Sequence, residues 1–241
     1  MSKSAWDAHV AEHGEEPTGK DRMRIETSEK PGALKRRIIN DLHIADAWDG
    51  EYAHREFSPH GWFCRTNQKM LDLLCRQVRP SIVIEIGSWM GRSTRFLAER
   101  CDLVIAIDHW RGSAEHQVPH AEKLPMLFDQ FLSNCEPLRD KILPLRMASA
   151  DAAQMPLPKA DLIFIDGDHS EAAVAADIQH YYGFLSDTGV MCGDDYDLRV
   201  PRGHGVARAT ATFAESHGLR VGVTAPFWWY VPTGDRGCKD D

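Results

Sequence analysis

The sequence predicts an open α/β sheet, mostly parallel, with helices on both faces and an antiparallel hairpin at its carboxyl-terminal end. Short apolar runs alternate with helical patterns from about residue 62 onward. The first of these runs leads into a turn that contains two glycines. The last two runs, at 219–223 and 227–231, lie only a few residues apart, which is typical of a hairpin at a sheet edge.

Five apolar runs are predicted to be the parallel strands, because each is short and continuous, as strands buried on both faces are. A helix before the first strand stops at Pro80, since the residue before a proline rarely stays helical. The predicted strands are 82–86, 103–107, 142–145, 162–165 and 189–193, and the helical patterns after the first strand are 92–100, 121–132, 171–185 and 205–216.

The length of the chain allows one complete hydrophobic core, whereas two full domains would be cramped. The chain has 241 residues, of which 43% are hydrophobic. Glycines and prolines are scattered among charges in the first 35 residues, which is typical of a flexible arm. We therefore expect a polar amino-terminal arm or helical cap over 1–61, one main domain over 62–235 and a polar tail over 236–241.

Charge and hydropathy argue against two classes of partner. The formal net charge is −8 and the pI is near 5.8, and nucleic-acid binding needs clustered Lys and Arg instead. The basic cluster at 35–37 is interpreted as a solvated helix face. The first thirty residues are charged, and no apolar run approaches the roughly 18 residues of a membrane span. We expect no signal peptide, no membrane partner and a cytoplasmic location.

The turn after the first strand has the form E-x-G-x-x-x-G, from Glu85 through Gly87 to Gly91. Glycines without a Cβ let a ligand lie against the backbone, and the amides of Ser93 and Thr94 open the next helix. An acidic group before the first glycine repels phosphate and suits a ligand with an ammonium group or hydroxyls. Taken alone, the turn fits a purely structural connection equally well.

Carboxylates follow or end four of the predicted strands. Because the carboxyl ends of parallel strands meet at one edge of the sheet, these side chains are expected to form an acidic rim around a ligand crevice. Asp is also a common cap of helices and turns, but five acids at strand ends exceed what capping explains. The five are Glu85, Asp108, Asp166, Asp194 and Asp195.

The pattern over residues 62–231 resembles the Rossmann-like class I S-adenosylmethionine-dependent methyltransferases. The segments IDGDHSEAAVAADI at 165–178 and GDDYD at 193–197 are similar to the bacterial small-molecule O-methyltransferases that include the macrocin O-methyltransferase group. Catechol and caffeoyl-CoA O-methyltransferases resemble the chain more distantly. The resemblance implies that 62–235 is a methyltransferase domain that binds S-adenosylmethionine and a small hydroxylated substrate.

The resemblance also implies a role for each part of the rim in holding the cofactor. Asp108 is expected to bind the two ribose hydroxyls, as a carboxylate can. Ser149 is expected to contact the adenine, and Asp166 to border the cofactor. His109 either packs on the adenine face or belongs to an ordinary loop. The methionine part is assigned to the glycine turn, namely Glu85, Gly87, Ser88, Gly91 and Ser93.

A metal site is predicted where Asp166, Asp194 and Asp195 meet. One helical crossover brings the three carboxylates to adjacent strand ends, and a hard divalent cation such as Mg²⁺ relieves their repulsion. The ion would also lower the pKa of a bound acceptor hydroxyl, as it does in the resembling enzymes. The alternative is that Asp194 caps the loop and Asp195 faces solvent. Many relatives with the same IDGDHS motif have His in place of the first acid of GDDY, so a site without a metal is also an alternative.

His169 is the first candidate for the general base, because it follows Asp166 by three residues and has an intrinsic pKa that suits neutral pH. His204, in the loop after the fifth strand, is the alternative. Either histidine could equally be an ordinary surface residue. Asp168 is expected to cap the helix that starts near Ser170.

The function that these features favour is Mg²⁺-assisted O-methylation of a hydroxyl on a natural-product, sugar or phenolic intermediate. Three alternatives stay open: a metal-independent enzyme that performs N-methylation or non-methylating sulfonium chemistry, a cofactor-binding module without activity, and a nicotinamide oxidoreductase, whose G-x-G-x-x-G is missing. Acceptor recognition is expected from the arm and from 111–122 and 196–204. The aromatic run 227–230 is expected to pack on helices. A homo-oligomer is possible.

Overall fold

The computed structural model describes residues 31–59, 61–112, 122, 124–196 and 203–232. The described strands form one seven-stranded sheet in the order β3-β2-β1-β4-β5-β7-β6. The predicted arm before residue 31, the tail at 236–241 and most of the two predicted acceptor-binding segments lie outside the described residues. The strands are β1 Ile82–Ile86, β2 Leu103–Asp108, β3 Ile142–Arg146, β4 Ala160–Ile165, β5 Leu185–Gly193, β6 Leu219–Thr224 and β7 Phe227–Pro232.

The predicted α/β sheet is confirmed, including its antiparallel hairpin. Strands β1 to β5 pair in parallel, which leaves β1 at the centre between β2 and β4. Strand β7 pairs antiparallel with both β5 and β6, so the hairpin forms one end of the sheet. The central strands are mostly apolar because helices cover both faces, and Glu85 in β1 is the fully buried exception.

Helices α1, α5, α6 and α7 pack on one face of the sheet, and α2, α3 and α4 pack on the other. Side chains alternate between these faces along each strand. In β1, Ile84 and Ile86 join the α1 side of the core, so the intervening Glu85 points toward α3. The helices are α1 Pro31–Leu42, α2 Arg65–Val78, α3 Arg92–Ala98, α4 Leu127–Cys135, α5 Ser149–Ala152, α6 Glu171–Tyr181 and α7 Gly203–Ser216. None of the helices in the described ranges has the length and apolar character that a membrane crossing requires.

Helix α1 lies inside the segment assigned above to an arm or helical cap, and it contributes to the main core. Its buried side chains are Leu34, Ile38 and Leu42. The interpretation of 35–37 as a solvated face is wrong for Lys35, which is only 4% exposed. Its Nζ lies 2.7 Å from Asp46 and donates to the Arg139 carbonyl. Burial lowers the pKa of Lys35, and the contact with Asp46 opposes this shift.

The aromatic run at 227–230 is part of the core, as predicted. Phe227 and Trp228 are fully buried, and Trp229 and Tyr230 are each 6% exposed. The Tyr230 hydroxyl donates to the carbonyl of Thr210 in α7 at 3.0 Å. The run therefore attaches the hairpin to the flanking helices on both faces.

The turn after β1 passes very close to the end of β4. Gly87 has a positive φ of 86°, and a Cβ built on it would lie 2.1 Å from the carbonyl oxygen of Asp166. The amide of Asp166 donates to the Ile86 carbonyl at 2.8 Å, and the amide of Gly87 donates to the Ile107 carbonyl at 2.9 Å. Only glycine fits this position, since both the φ angle and the close approach exclude a side chain.

Gly87→Ala is expected to lower the free energy of unfolding by about 3 kcal/mol or more, because the new methyl group meets backbone atoms that cannot move aside. Urea unfolding followed by circular dichroism measures the change. Gly183→Ala is the matched control, since a Cβ there has no neighbour within 4 Å, and it should change stability by less than about 1 kcal/mol. Equal effects of the two substitutions would contradict the proposed steric constraint.

Candidate active site

The candidate site lies where the parallel strands end. These strands stand side by side as β3, β2, β1, β4 and β5, so the segments that follow them share one rim of the sheet in that order. A cavity of about 580 Å³ runs along the rim. It is lined by Ser149 after β3, by Asp108 and His109 at β2, by Gly87, Ser88 and Trp89 after β1, and by Asp166, His169 and Asp195 after β4 and β5.

Glu85 organises the glycine turn from below. It is fully buried and does not line the cavity, although Gly87, Ser88 and Ser93 do. One oxygen of its carboxylate accepts hydrogen bonds from the hydroxyls of Ser88, at 2.8 Å, and Thr94. Its other oxygen, Oε1, has no hydrogen-bond partner within the described part of the chain. Burial raises the pKa of Glu85 to about 7, although the hydroxyls oppose this shift.

Gly91, the second glycine of the turn, serves packing. It has a φ of 83°, and a Cβ there would lie 2.3 Å from the sulfur of Cys135 in α4. Gly91 therefore lets α3 and α4 approach each other. Gly91 does not line the cavity, whereas Ser93, in the first turn of α3, does.

Asp108 is held at the end of β2 by two backbone amides. The amide of Trp89 donates to its Oδ2 at 2.9 Å, and the amide of Trp110 donates to its Oδ1 at 2.6 Å. Burial raises the pKa of Asp108, and the two amides oppose the shift because they favour the charged form. The carboxylate lines the cavity with acceptor positions to spare, as a ligand with hydroxyl groups requires.

The two residues after Asp108 have different surroundings. His109 lines the cavity, and its Nδ1 accepts a hydrogen bond from the Arg111 amide at 2.9 Å. Trp110 is 1% exposed and packs against Phe128 and Phe131 with ring centroids 4.7 Å apart. Of the pair, only His109 can face a ligand in this cavity.

The β3 end of the rim contains a polar group that the sequence analysis identified only in part. Ser149 lines the cavity as predicted, and its hydroxyl donates to Asp177 Oδ1 at 2.6 Å. The hydroxyl of Tyr181 donates to the Ser149 carbonyl at 2.7 Å. Asp177 and His180 of α6 also line the cavity. Burial raises the pKa of Asp177, and the Ser149 hydroxyl opposes the shift.

The opposite end of the rim contains Asp166, His169 and Asp195 as one cluster. His169 Nε2 lies 2.9 Å from Asp195 Oδ2 and 3.8 Å from Asp166 Oδ1. Burial raises the pKa of Asp166 to about 7. Burial would lower the pKa of His169, but the two carboxylates outweigh it and raise the value to about 11. This arrangement favours the protonated form of His169.

The cluster differs in membership from the predicted metal group. Asp166, Asp195 and His169 each offer one ligand atom, and these atoms lie within 4.8 Å of one another. Asp194 is turned away: its carboxylate accepts hydrogen bonds from the Asn67 side chain and, at 2.7 Å, from the Asp195 amide. Burial and the neighbouring carboxylates raise the pKa of Asp194 to about 8. The structure therefore brings together two of the three predicted carboxylates and adds His169.

Asn67 in α2 was not identified from the sequence. It is fully buried, and its Oδ1 atom has no hydrogen-bond partner in the described ranges. It lies 127 residues before Asp194 in the chain, and a lone Asn in a helix with apolar spacing gives no sequence signal.

The other predicted residues have the following places. The backbone of His204 lies in the first turn of α7 rather than in a loop, and its side chain is outside what the structure describes. Asp168 lines the cavity, and its Oδ1 accepts a hydrogen bond from the amide of Ser170, which is the N-cap of α6. This arrangement fits the predicted capping role of Asp168.

The segment before α2 forms another wall of the cavity, with Trp62 as its most exposed part. Trp62 is 60% exposed, and its ring lies 5.5 Å from that of Trp89. The buried Asn134 holds this segment in place, since its amide group donates to the carbonyls of Ser58, at 3.0 Å, and Met90, at 2.8 Å. The aromatic pair therefore borders the cavity beside the glycine turn, and the sequence analysis assigned it no role.

Comparisons with known proteins agree with this geometry. Residues 84–196 match a family model described as a methyltransferase domain. This range includes Glu85, Asp108, Ser149, the Asp166 cluster and most of the cavity wall. No curated protein sequence matches the chain.

Solved structures show that the fold is that of O-methyltransferases. An O-methyltransferase from Bacillus cereus in complex with SAH is 20% identical, with a TM-score of 0.52, and the match covers 95% of this chain and 97% of that one. The O-methyltransferase TomG from Streptomyces achromogenes, in complex with SAM, is 13% identical with a TM-score of 0.52 over 97% and 100%. The SAH-bound Podospora anserina methyltransferase PaMTH1 is 12% identical with a TM-score of 0.52 over 97% of each chain.

The buried Glu85 carboxyl predicts a pH-dependent stability. Its folded pKa of about 7 lies above the usual 4.5, so the folded state binds more protons, and stability falls as the pH rises from about 4.5 to 7. Glu85→Gln removes this loss. The free energy of unfolding of the variant minus that of the wild type should therefore be about 2 kcal/mol larger at pH 8 than at pH 5.

Urea unfolding of both proteins at the two pH values measures this gain. Asp166, Asp194 and His169 also make the fold less stable as the pH rises, and they are present in both proteins. Because the charge of Glu85 helps to raise the pKa of Asp166, the difference between the proteins reports Glu85 together with its coupling to Asp166. Glu215→Gln, at an exposed position of α7, should show no gain. A Glu85→Gln protein with the pH dependence of the wild type would show that Glu85 is already charged when buried.

Proposed function

Since the chain is a class I S-adenosylmethionine-dependent methyltransferase, whose residues 84–196 match the methyltransferase-domain model, we propose that it methylates a hydroxyl oxygen of a small molecule. The observation that carries the proposal is the order of groups along the cavity. Ser149, Asp108, the glycine turn and the Asp166 cluster follow one another from β3 to β5. This order matches the base, ribose, methionine chain and reacting methyl group of one extended cofactor.

The cofactor fits the residues that line this rim. Asp108 would accept hydrogen bonds from the ribose hydroxyls with the lone pairs that the Trp89 and Trp110 amides leave free. The methionine chain would lie on Gly87, where no side chain intervenes. Glu85 would act indirectly, since it holds the turn through Ser88 and Thr94 and has no surface on the cavity.

In the reaction, an acceptor oxygen attacks the methyl carbon of the sulfonium, the S–CH₃ bond breaks and an O–CH₃ bond forms. The acceptor hydroxyl must give up its proton, and the cluster at the β4 and β5 ends is the group available to take it. His169 can be the base only when it is neutral, because the imidazolium has no lone pair to accept a proton. Its ion pair with Asp195 must therefore be relieved in the reactive complex.

Mg²⁺ is the group that would relieve this pair. The two carboxylates of Asp166 and Asp195 would hold it, with His169 beside them, and the convergence of their ligand atoms within 4.8 Å supports the fit. When bound, the ion would acidify the acceptor hydroxyl. With the carboxylates engaged, His169 would lose its stabilised proton and become the base. Asp194 would join only after it leaves Asn67.

A second candidate function is metal-independent methyl transfer, for example to a nitrogen. The observation that favours it is the position of His169, whose imidazolium pairs with Asp195 at 2.9 Å and lies 3.8 Å from Asp166, so that it offsets part of their charge without a metal. An amine acceptor presents a lone pair once it is neutral and needs less assistance than a hydroxyl. Turnover that is insensitive to EDTA would support this candidate.

Asp108→Ala is expected to weaken binding of S-adenosylhomocysteine by about 10- to 100-fold, because two charge-assisted hydrogen bonds to the ribose are lost. Isothermal titration calorimetry with the full chain measures the affinity. Asp187→Ala, at an exposed position in β5, should bind like the wild type. If Asp108→Ala binds S-adenosylhomocysteine as tightly as the wild type does, Asp108 does not bind the ribose.

Asp195→Asn is expected to weaken Mg²⁺ and Mn²⁺ binding at least about 10-fold, because one of two anionic ligands is lost. Affinity for S-adenosylhomocysteine should change by less than about 3-fold, since Asp195 is placed at the acceptor end. Calorimetry on EDTA-stripped protein measures the metal and the cofactor separately, with Asp187→Asn as control. If the wild type binds S-adenosylhomocysteine but neither metal, the Mg²⁺ proposal is wrong and the metal-independent candidate takes its place.

A further inference from the structure

The proposed reaction gives no role to Trp110, although a hydrogen bond joins this residue to the glycine turn. Trp110 is 1% exposed and does not line the cavity. Its indole Nε1 donates to the carbonyl of Trp89 at 2.7 Å. Trp89 lies in the turn after β1 and does line the cavity. The buried indole therefore connects the segment after β2 to the cavity wall.

Three hydrogen bonds among Asp108, Trp89 and Trp110 form a closed ring. The Trp89 amide donates to one oxygen of the Asp108 carboxylate at 2.9 Å, and the Trp110 amide donates to the other at 2.6 Å. The bond from the Trp110 indole to the Trp89 carbonyl closes the ring. Each residue is thus held through two bonds, and the plane of the carboxylate is fixed from both sides.

Trp89 has a backbone conformation that a tryptophan adopts only at a cost. It is the second residue of a four-residue turn, which the Gly91 amide closes by donating to the Ser88 carbonyl at 2.8 Å. Its φ is 47°, in the left-handed region that glycine, asparagine or aspartate ordinarily supplies at this position of a turn. A bulky residue stays in this region only when its surroundings hold it there.

The indole bond acts directly on the carbonyl of this strained residue. Without the bond, Trp89 would relax toward a negative φ, and the peptide group before it would turn. The Trp89 amide would then no longer point at Asp108. Of the two amides that fix the carboxylate, only that of Trp110 would remain, so the carboxylate would be free to rotate. Ordering it again would weaken the binding of a ligand.

We propose that Trp110 is a positioning residue for the ribose of the cofactor. Its indole N–H holds Trp89, and Trp89 holds the Asp108 carboxylate in the orientation that accepts the two ribose hydroxyls. This inference rests on the proposed function, because it requires the ribose to lie at Asp108. Trp110 itself does not touch the cofactor. Its contribution is that the carboxylate is already oriented before the ligand arrives.

The first test compares S-adenosylhomocysteine with its 2′,3′-dideoxy analogue, which lacks both ribose hydroxyls, in the wild type and in Trp110→Phe. The substitution keeps an aromatic ring against Phe128 and Phe131 but removes the N–H donor. Calorimetry with the wild-type full chain should give at least about 10-fold tighter binding of S-adenosylhomocysteine than of the analogue. In Trp110→Phe, S-adenosylhomocysteine should bind about 10-fold more weakly, whereas the affinity of the analogue should change by less than about 2-fold.

Trp48→Phe is the matched control for this test. Trp48 is also buried, and its indole also donates to a backbone carbonyl, that of Ile142 at 3.0 Å, but it does not line the cavity. The control should keep the wild-type ratio of the two affinities. If Trp110 served packing alone, Trp110→Phe would weaken both ligands by the same factor, and an unchanged ratio would overturn the proposal. An equal loss of the ratio in Trp48→Phe would also overturn it.

The second test removes the donor with almost no change in the shape of the ring. Replacement of Trp110 by β-(3-benzothienyl)alanine, introduced at this position alone, puts a sulfur atom in place of the indole N–H. The packing against Phe128 and Phe131 is then kept, so this test holds even where Trp110→Phe fails to fold. The ratio of the two affinities should fall as in Trp110→Phe. A wild-type ratio would overturn the proposal.

The two proposals fail in different ways. A wild type that does not bind S-adenosylhomocysteine at all would overturn the proposed function together with this inference. A wild type that binds both ligands equally well would overturn the placement of the ribose at Asp108, and with it the role of Trp110. Discrimination in the wild type that persists without the indole N–H would overturn the role of Trp110 alone.

Discussion

The backbone contact between Gly87 and Asp166 is the constraint on which the site depends. It joins the turn after β1 to the end of β4, while the Gly87 amide joins the same turn to β2. Three neighbouring strand ends are thereby fixed relative to one another within a few ångströms. Asp108, the glycine turn and the Asp166 cluster take their separations from this junction, and no side chain could be inserted into it without moving all three.

Burial of acidic groups gives the site its electrostatic character. Burial raises the pKa of Glu85, Asp108, Asp166 and Asp194, because each carboxyl loses water on folding. Such a rim favours occupants that bring positive charge or hydrogen-bond donors. His169 is one, and the proposed cofactor, with its sulfonium, ammonium, hydroxyls and adenine amine, would be another. The sulfonium, ammonium and hydroxyl groups of the proposed ligand would therefore be complementary to this acidic rim.

The sequence was sufficient to predict the strands and the rim, because apolar runs and parallel topology determine both. It did not predict which acid of the Asp194–Asp195 pair faces the cavity, since that choice depends on Asn67 from a distant helix. The burial of Lys35 depends in the same way on Asp46. Asp177 and His180 escaped attention because their spacing is that of any amphipathic helix. Glu85 was assigned to the methionine part of the cofactor from its place before the first glycine, but alternation along β1 turns its side chain toward α3 and away from the cavity wall.

The tryptophans of the chain have unequal surroundings, and this has a spectroscopic consequence. Trp48, Trp110, Trp228 and Trp229 are each at most 8% exposed, whereas Trp62 is 60% exposed at the cavity wall beside Trp89. Indole emission moves to shorter wavelength when water is removed. An occupant that covers Trp62 would therefore change the emission of Trp62 and of its neighbour Trp89, whereas the four buried tryptophans of the described residues would stay constant. The cavity wall thus contains its own fluorescent reporter of ligand entry.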